Sequence, residues 1–128
     1  MQTMNLMQNL IHKYNLIEKI LQYDIWLADL NPARGPIPGK IRPVVIVQSN
    51  LYNNESDTTI VCPITTNIVE GINYLRVALI KEQVDKQSAI LLDQLRTIEN
   101  RKLIKKLSRL NYDQIKKMKR NLQIILDL

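Results

Sequence analysis

The sequence predicts a mainly β protein with helices, its strands curled into a strongly curved antiparallel sheet or partial barrel. Three observations lead there. Five or six short apolar segments follow one another between Tyr23 and Ile98, separated by turn-rich stretches. After Glu99 the hydrophobic period changes from strand-like to helical. No repeat, low-complexity tract or long linker divides the 128 residues, which suit one domain with one core. Sequential strands imply hairpin connections, and the helices then cover the open ends.

Residues 4–21 space Leu6, Met7, Leu10, Ile11, Tyr14, Ile17, Ile20 and Leu21 as one face of an amphipathic helix, an N-terminal extension over residues 1–22. Ile25 to Leu30 reads as the first strand and stops at the turn signal Asn31-Pro32. Residues 31–41 hold three of the five prolines and two of the three glycines, a loop placed to form a functional rim. The second strand runs from about Arg42 to Gln48. A third spans Thr58 to Thr65, with Pro63 marking an edge or bulge because it donates nothing to a ladder. Tyr74 to Ile80 alternates as a fourth strand, and Ala89 to Leu92 and Leu95 to Ile98 form two more around Asp93-Gln94. Residues 100–107 read as a short basic helix. Asn111 with Gln114 then makes a capping box before a final helix whose Ile115, Met118, Leu122 and Ile125 share one face.

Composition narrows the function. No apolar run approaches a bilayer-crossing length, and His12, Lys13, Glu18 and Lys19 interrupt anything like a secretory signal. A lone Cys62 points to a reducing, cytoplasmic setting. One Cys and one His supply no ligand cluster, so no metal and no cofactor is expected. The net charge of +6 lies wholly in the second half: residues 1–64 carry five basic and five acidic side chains, residues 65–128 thirteen and seven. The surplus between Arg101 and Arg120 fits either a polyanionic or acidic partner or a solvated helix face.

One stretch stands out for chemistry. In Arg42-Pro43-Val44-Val45-Ile46-Val47-Gln48, Pro43 forces Arg42 into an extended conformation and the β-branched run pins the backbone beyond it. A permanent, planar cation is held at a strand entrance, suited to phosphate oxygens, although a surface arginine before a proline would look the same.

That block and four others occur in order: residues 23–30 (Tyr-Asp-Ile-Trp-Leu-Ala-Asp-Leu), Asn31-Pro32, Val61-Cys62-Pro63-Ile64-Thr65, and Ser88 to Ile98. Together, over residues 23–128, they resemble the MazF/PemK family of toxin endoribonucleases. The related gyrase-poisoning toxins share that fold, and a non-catalytic RNA-binding barrel is the other alternative. The resemblance implies an SH3-like barrel with a C-terminal helix, acting as a homodimer. It implies the toxin of a type II toxin–antitoxin system, held by a cognate acidic antitoxin, with no role for a membrane. It implies metal-independent cleavage of single-stranded RNA to 2′,3′-cyclic phosphate and 5′-hydroxyl ends.

The family's arginine falls on Arg42 and its catalytic threonine on Thr65, which composition alone reads as an ordinary strand residue. Asp93 falls where many members carry an acid that some use in catalysis; bonding to Arg96 or capping a turn serves as well. A His-pair mechanism within one chain is excluded, since His12 is the only histidine. Gln48 and Asn50 are candidates to read splayed base edges, or simply strand-end and turn residues. Arg34 and Lys40 are candidate phosphate contacts, and Trp26 reads as core rather than a stacking surface. The chain departs from the family pattern with Tyr23 where glycine is usual, with Pro36 and Ile37-Pro38 in the first loop, and with residues 1–22, in which Met4 and Met7 offer alternative starts.

Overall fold

The computed structural model describes residues 18–32, 35, 39–68 and 75–128. Among these residues seven antiparallel strands form one curled sheet: β1 (Asp24–Asp29), β2 (Ile41–Ile46), β3 (Thr58–Thr65), β4 (Val77–Leu79), β5 (Ser88–Ile90), β6 (Arg96–Glu99) and β7 (Leu103–Arg109). A one-turn helix, α1 (Lys81–Val84), precedes β5, and α2 (Tyr112–Leu126) closes the chain. The strand order is β4-β5-β3-β2-β1-β7, with β6 also on β3.

The long strand β3 changes partner midway. Thr58 to Val61 pair with β6, and Ile64 and Thr65 pair with β5. Pro63 falls in the gap between those two ladders, where no N–H is needed on that side. This exchange curls the sheet into a half-barrel.

Strands β1 to β3 are apolar on both faces, so each face needs a cover. Ile25, Val45, Cys62 and Ile64 join one buried cluster with Leu79, Ile90 and Met118. The neighbours Trp26, Val44, Ile46 and Val61 alternate into a second cluster with Ala28, Leu30 and Ile98. Trp26 is therefore core. Helix α2 covers the first cluster with the four residues that periodicity put on one face, Met118 fully buried and Ile115, Leu122 and Ile125 packed against it. Its capping box is formed: Gln114 N donates to Asn111 Oδ1 at 2.9 Å, and Asn111 N donates to Gln114 Oε1 at 2.9 Å.

The second cluster is covered from the N-terminal side. Ile20 is buried there, and the Asn54 side chain clamps its backbone N–H and carbonyl at 3.0 and 2.9 Å. Residues 18–20 carry no helix and residues 22–23 form a turn; the rest of the amphipathic stretch lies outside the described residues. The fourth strand is shorter than expected, Val77–Leu79, and Tyr74 lies outside the described residues.

Tyr23 has φ +73°, a left-handed conformation that costs a residue with a Cβ about 1–2 kcal/mol. Its N–H still donates to Ile46 O and its carbonyl accepts from Leu110 N. The turn that favours glycine is thus kept by a tyrosine whose ring packs on the first cluster.

Residues 100–107 are not a helix. A 3-10 turn at Asn100–Lys102 leads into β7, which pairs with the outer edge of β1. The register explains the helical appearance. Ser108 and Lys106 face Ile25 and Trp26, and Lys105 and Leu103 face Leu27 and Ala28, so Leu107 and Ile104 are extra residues at two bulges. Two bulges three residues apart lengthen the strand's period of two toward that of a helix. On this strand Arg109 and Lys106 reach the fully buried carboxylate of Asp24, at 3.2 and 3.6 Å.

Candidate active site

The β2–β3 register fixes the site. Val44 lies opposite Pro63 and Ile46 opposite Val61. The paired register ends at Val44 and Pro63, and two residues further out along each strand stand Arg42 on β2 and Thr65 on β3, at the same end of the sheet. Both residues line one open cleft of about 590 Å³, walled by the ends of β1, β2 and β3, by β7, and by the segment after α1.

Arg42 is half-buried, and its Nε donates to Gly39 O at 3.1 Å. That bond orients the guanidinium through one nitrogen and leaves its two terminal nitrogens to form the fork that phosphate oxygens fit. Thr65 Oγ1 accepts from Asn67 N at 3.0 Å, so the hydroxyl keeps its proton for donation. Lys86 and Lys105 line the same cleft against one acid, Asp85, which makes it electropositive. Ser88 also lines it, 1% exposed, its Oγ buried without a hydrogen-bond partner. Nothing in the sequence marks Lys86, Lys105 or Ser88 for a place in a cleft. Lys105 sat in the segment read as a helix, and Lys86 and Ser88 follow a one-turn helix that no periodicity announces.

The other candidates lie elsewhere. Gln48 and Asn50 are at the far end of β2 and hold the 49–57 loop together. Gln48 Nε2 donates to Asn53 Oδ1 and Thr58 O at 3.1 and 3.3 Å. Asn50 Oδ1 accepts from Gln22 N at 2.8 Å and Asn53 Nδ2 at 3.1 Å. Lys40, exposed at φ +67°, closes the neck of the first loop: its N–H donates to Asn31 Oδ1 at 2.7 Å and its carbonyl accepts from Leu30 N at 2.9 Å. Arg34 lies outside the described residues. Asp93 is exposed on the 3-10 turn Leu92–Gln94 and is not among the residues lining the cleft. Its charge acts instead on Cys62, whose thiol is pushed up to about 12, by burial first and by Asp93 second.

The chain is thus a curled half-barrel with a cationic cleft at the mouth of its central strands. The family described as "PemK-like, MazF-like toxin of type II toxin-antitoxin system" matches residues 21–126, and the chain belongs to it. The chain is 38% identical over 107 residues to a protein named Endoribonuclease MazF from Staphylococcus saprophyticus, covering 82% of this chain and 89% of that one. Among solved structures, MazF of Deinococcus radiodurans superposes with a TM-score of 0.76 at 18% identity, over 88% of this chain and all (100%) of that one. Mycobacterium tuberculosis toxin MazF-mt6 gives 0.70 at 22% identity, over 82% and 97%. A mycobacterial endoribonuclease in complex with its cognate antitoxin gives 0.69 at 18% identity, over 88% and 97%. At these identities the structural likeness is one of fold.

Proposed function

We propose that this toxin is an endoribonuclease that cleaves single-stranded RNA in the Arg42–Thr65 cleft, without a metal. The reading is carried by one observation: a fixed cation and a hydroxyl, far apart in the chain, line one electropositive cleft. Family membership and the endoribonuclease named among the relatives support it. In this reaction the 2′-oxygen attacks the adjacent phosphorus and the P–O5′ bond breaks, giving a 2′,3′-cyclic phosphate. The 2′-hydroxyl proton is lost and O5′ gains one, giving a 5′-hydroxyl. Arg42 stabilises the charge that builds on the non-bridging oxygens. The Thr65 hydroxyl donates to the same phosphate and positions it. No proton transfer is assigned to Asp93, which stands outside the cleft.

In the cell we place the protein in the cytoplasm, as a homodimer restrained by a cognate antitoxin. An acidic antitoxin segment suits the positive surplus of residues 65–128. The test is digestion of an unstructured RNA in EDTA with the ends mapped. Cyclic phosphate and 5′-hydroxyl termini are expected. Arg42→Ala should lower kcat by about a hundredfold to a thousandfold, the usual cost of removing one preorganised charge stabiliser. Intact RNA, or undiminished cleavage by Arg42→Ala, overturns the assignment.

A further inference from the structure

The basic stretch of the second half divides in the folded protein. On and before β7 every cation from Arg101 to Arg109 except Lys105 is already engaged. Arg101 pairs with Glu99 at 2.7 Å, Lys102 Nζ donates to Asn31 O at 2.8 Å, Lys106 and Arg109 hold Asp24, and Lys105 belongs to the cleft. On α2 the situation is the reverse. Lys116, Lys117, Lys119 and Arg120 are all exposed, and no ion pair engages them among the described residues. Lys116, Lys117 and Arg120 share one helical face and, with Asp113, line a shallow hollow of about 300 Å³. The opposite face of α2 is committed to the core, so this face is turned to solvent.

Tyr112 begins the same helix. It is 72% exposed, and Lys116 Nζ stands 5.6 Å from its ring centroid. An exposed aromatic ring beside a row of unpaired cations is the combination that grips single-stranded nucleic acid, bases on the ring and phosphates on the cations. The residues lining the hollow are all charged, three cations against one acid, which suits a polyanion. The site is also tied to the cleft. Gln83 Nε2 and Gln114 Oε1 lie 2.8 Å apart, and the residues after Gln83, Val84 to Lys86, form a cleft wall. Helix α1 between them is balanced, Lys81 against Glu82, and repels nothing.

We infer that α2 is a second contact for the RNA held in the cleft: Tyr112 stacks a base of the flanking strand while Lys116, Lys117 and Arg120 hold its phosphates. This rests on the cleft being the RNA site, and the experiment separates the two. The probe is a sixteen-nucleotide 2′-O-methyl oligouridylate, which cannot be cleaved, binding to the full chain and followed by anisotropy across a salt series. The double variant Lys117→Gln/Arg120→Gln is compared with Arg101→Gln/Lys102→Gln, which removes the same charge from already engaged side chains. Glutamine keeps helix propensity, and circular dichroism checks the fold.

The α2 pair should weaken binding about tenfold and flatten the log–log salt dependence by about 1.4, two phosphate contacts' worth. The control pair should change affinity less than about twofold. Tyr112→Ala should weaken binding by a similar factor with no change in salt slope. Equal losses from both pairs, or none from the α2 pair, overturn the inference. So does an α2 pair that loses affinity for an acidic peptide while keeping the oligouridylate. A wild type that cleaves RNA yet shows none of these α2 effects sinks this inference alone. A loss confined to the α2 pair, with cleavage indifferent to Arg42, overturns the cleft assignment, and with it the rank of α2 as a second contact, while leaving α2 itself an RNA-binding face.

Discussion

Cys62 shows how a single side chain is rewritten by its surroundings. The sequence offers a lone thiol; the fold buries it opposite Val45 and sets Asp93's charge near it, pushing its pKa up to about 12 from 9.0. A thiol so protonated is a poor nucleophile, and native-state alkylation should be slow. The shift also has a thermodynamic sign. Between about pH 9 and 12 the unfolded chain has lost the thiol proton that the folded chain keeps, so the unfolded state binds fewer protons and stability falls as pH rises. The full contribution is present below pH 9, and the slope above it is about 1.4 kcal/mol per pH unit. Cys62→Ala should flatten that alkaline limb in urea titrations at pH 8 to 10.5, whatever it costs in packing at neutral pH. Arg42 was legible at this scale because Pro43 and the β-branched run constrain it locally. Lys86, Lys105 and Ser88 were not, since nothing in their neighbours announces a cleft assembled from five separate strands.

At the level of elements, α2 and β7 make opposite cases. The signals for α2 were all local: an N-cap, a partner three residues on, and one apolar face. Each is met in the fold. Asn111→Ala should cost about 1 kcal/mol in the chemical denaturation midpoint by orphaning the Gln114 N–H. Strand β7 was misread because its bulges at Ile104 and Leu107 break the alternation by which strands are recognised. What makes it a strand is the unpaired edge of β1 and the buried charge of Asp24, both about eighty residues upstream. Gln48 and Asn50 belong to this scale as well. Gln48 Nε2 and Asn50 Oδ1 serve the internal bonds of the 49–57 loop, a demand set by Asn53 and by the arriving N-terminal segment.

Across the whole molecule, the two-sided core decides what counts as part of the domain. Helix α2 seals one face of the sheet, and Ile20 helps to seal the other, locked by Asn54 and by the Gln22 Nε2 bond to Val47 O at 2.9 Å. Glu18 adds a weak tie to Lys106 at 3.7 Å. A chain beginning at Tyr23 should therefore lose at least about 2 kcal/mol of stability in urea unfolding, from the buried isoleucine and the severed backbone bonds. Ile20→Ala in the full chain should account for much of it. An unchanged midpoint in both would mean that the domain ends where the segment begins.

The sequence by itself determined the strands of the central sheet, the capped final helix with its one apolar face, and a cation stationed at a strand entrance. These are encoded within a few residues, in periodicity, proline geometry and capping. Only the tertiary structure decided that β7 takes the outer edge of β1, that Thr65 shares a cleft with Arg42, and that Arg101, Lys106 and Arg109 are spent on ion pairs while the cations of α2 face solvent. Strand register and charge pairing are settled by summed contacts between segments distant in the chain, and no local window contains that sum.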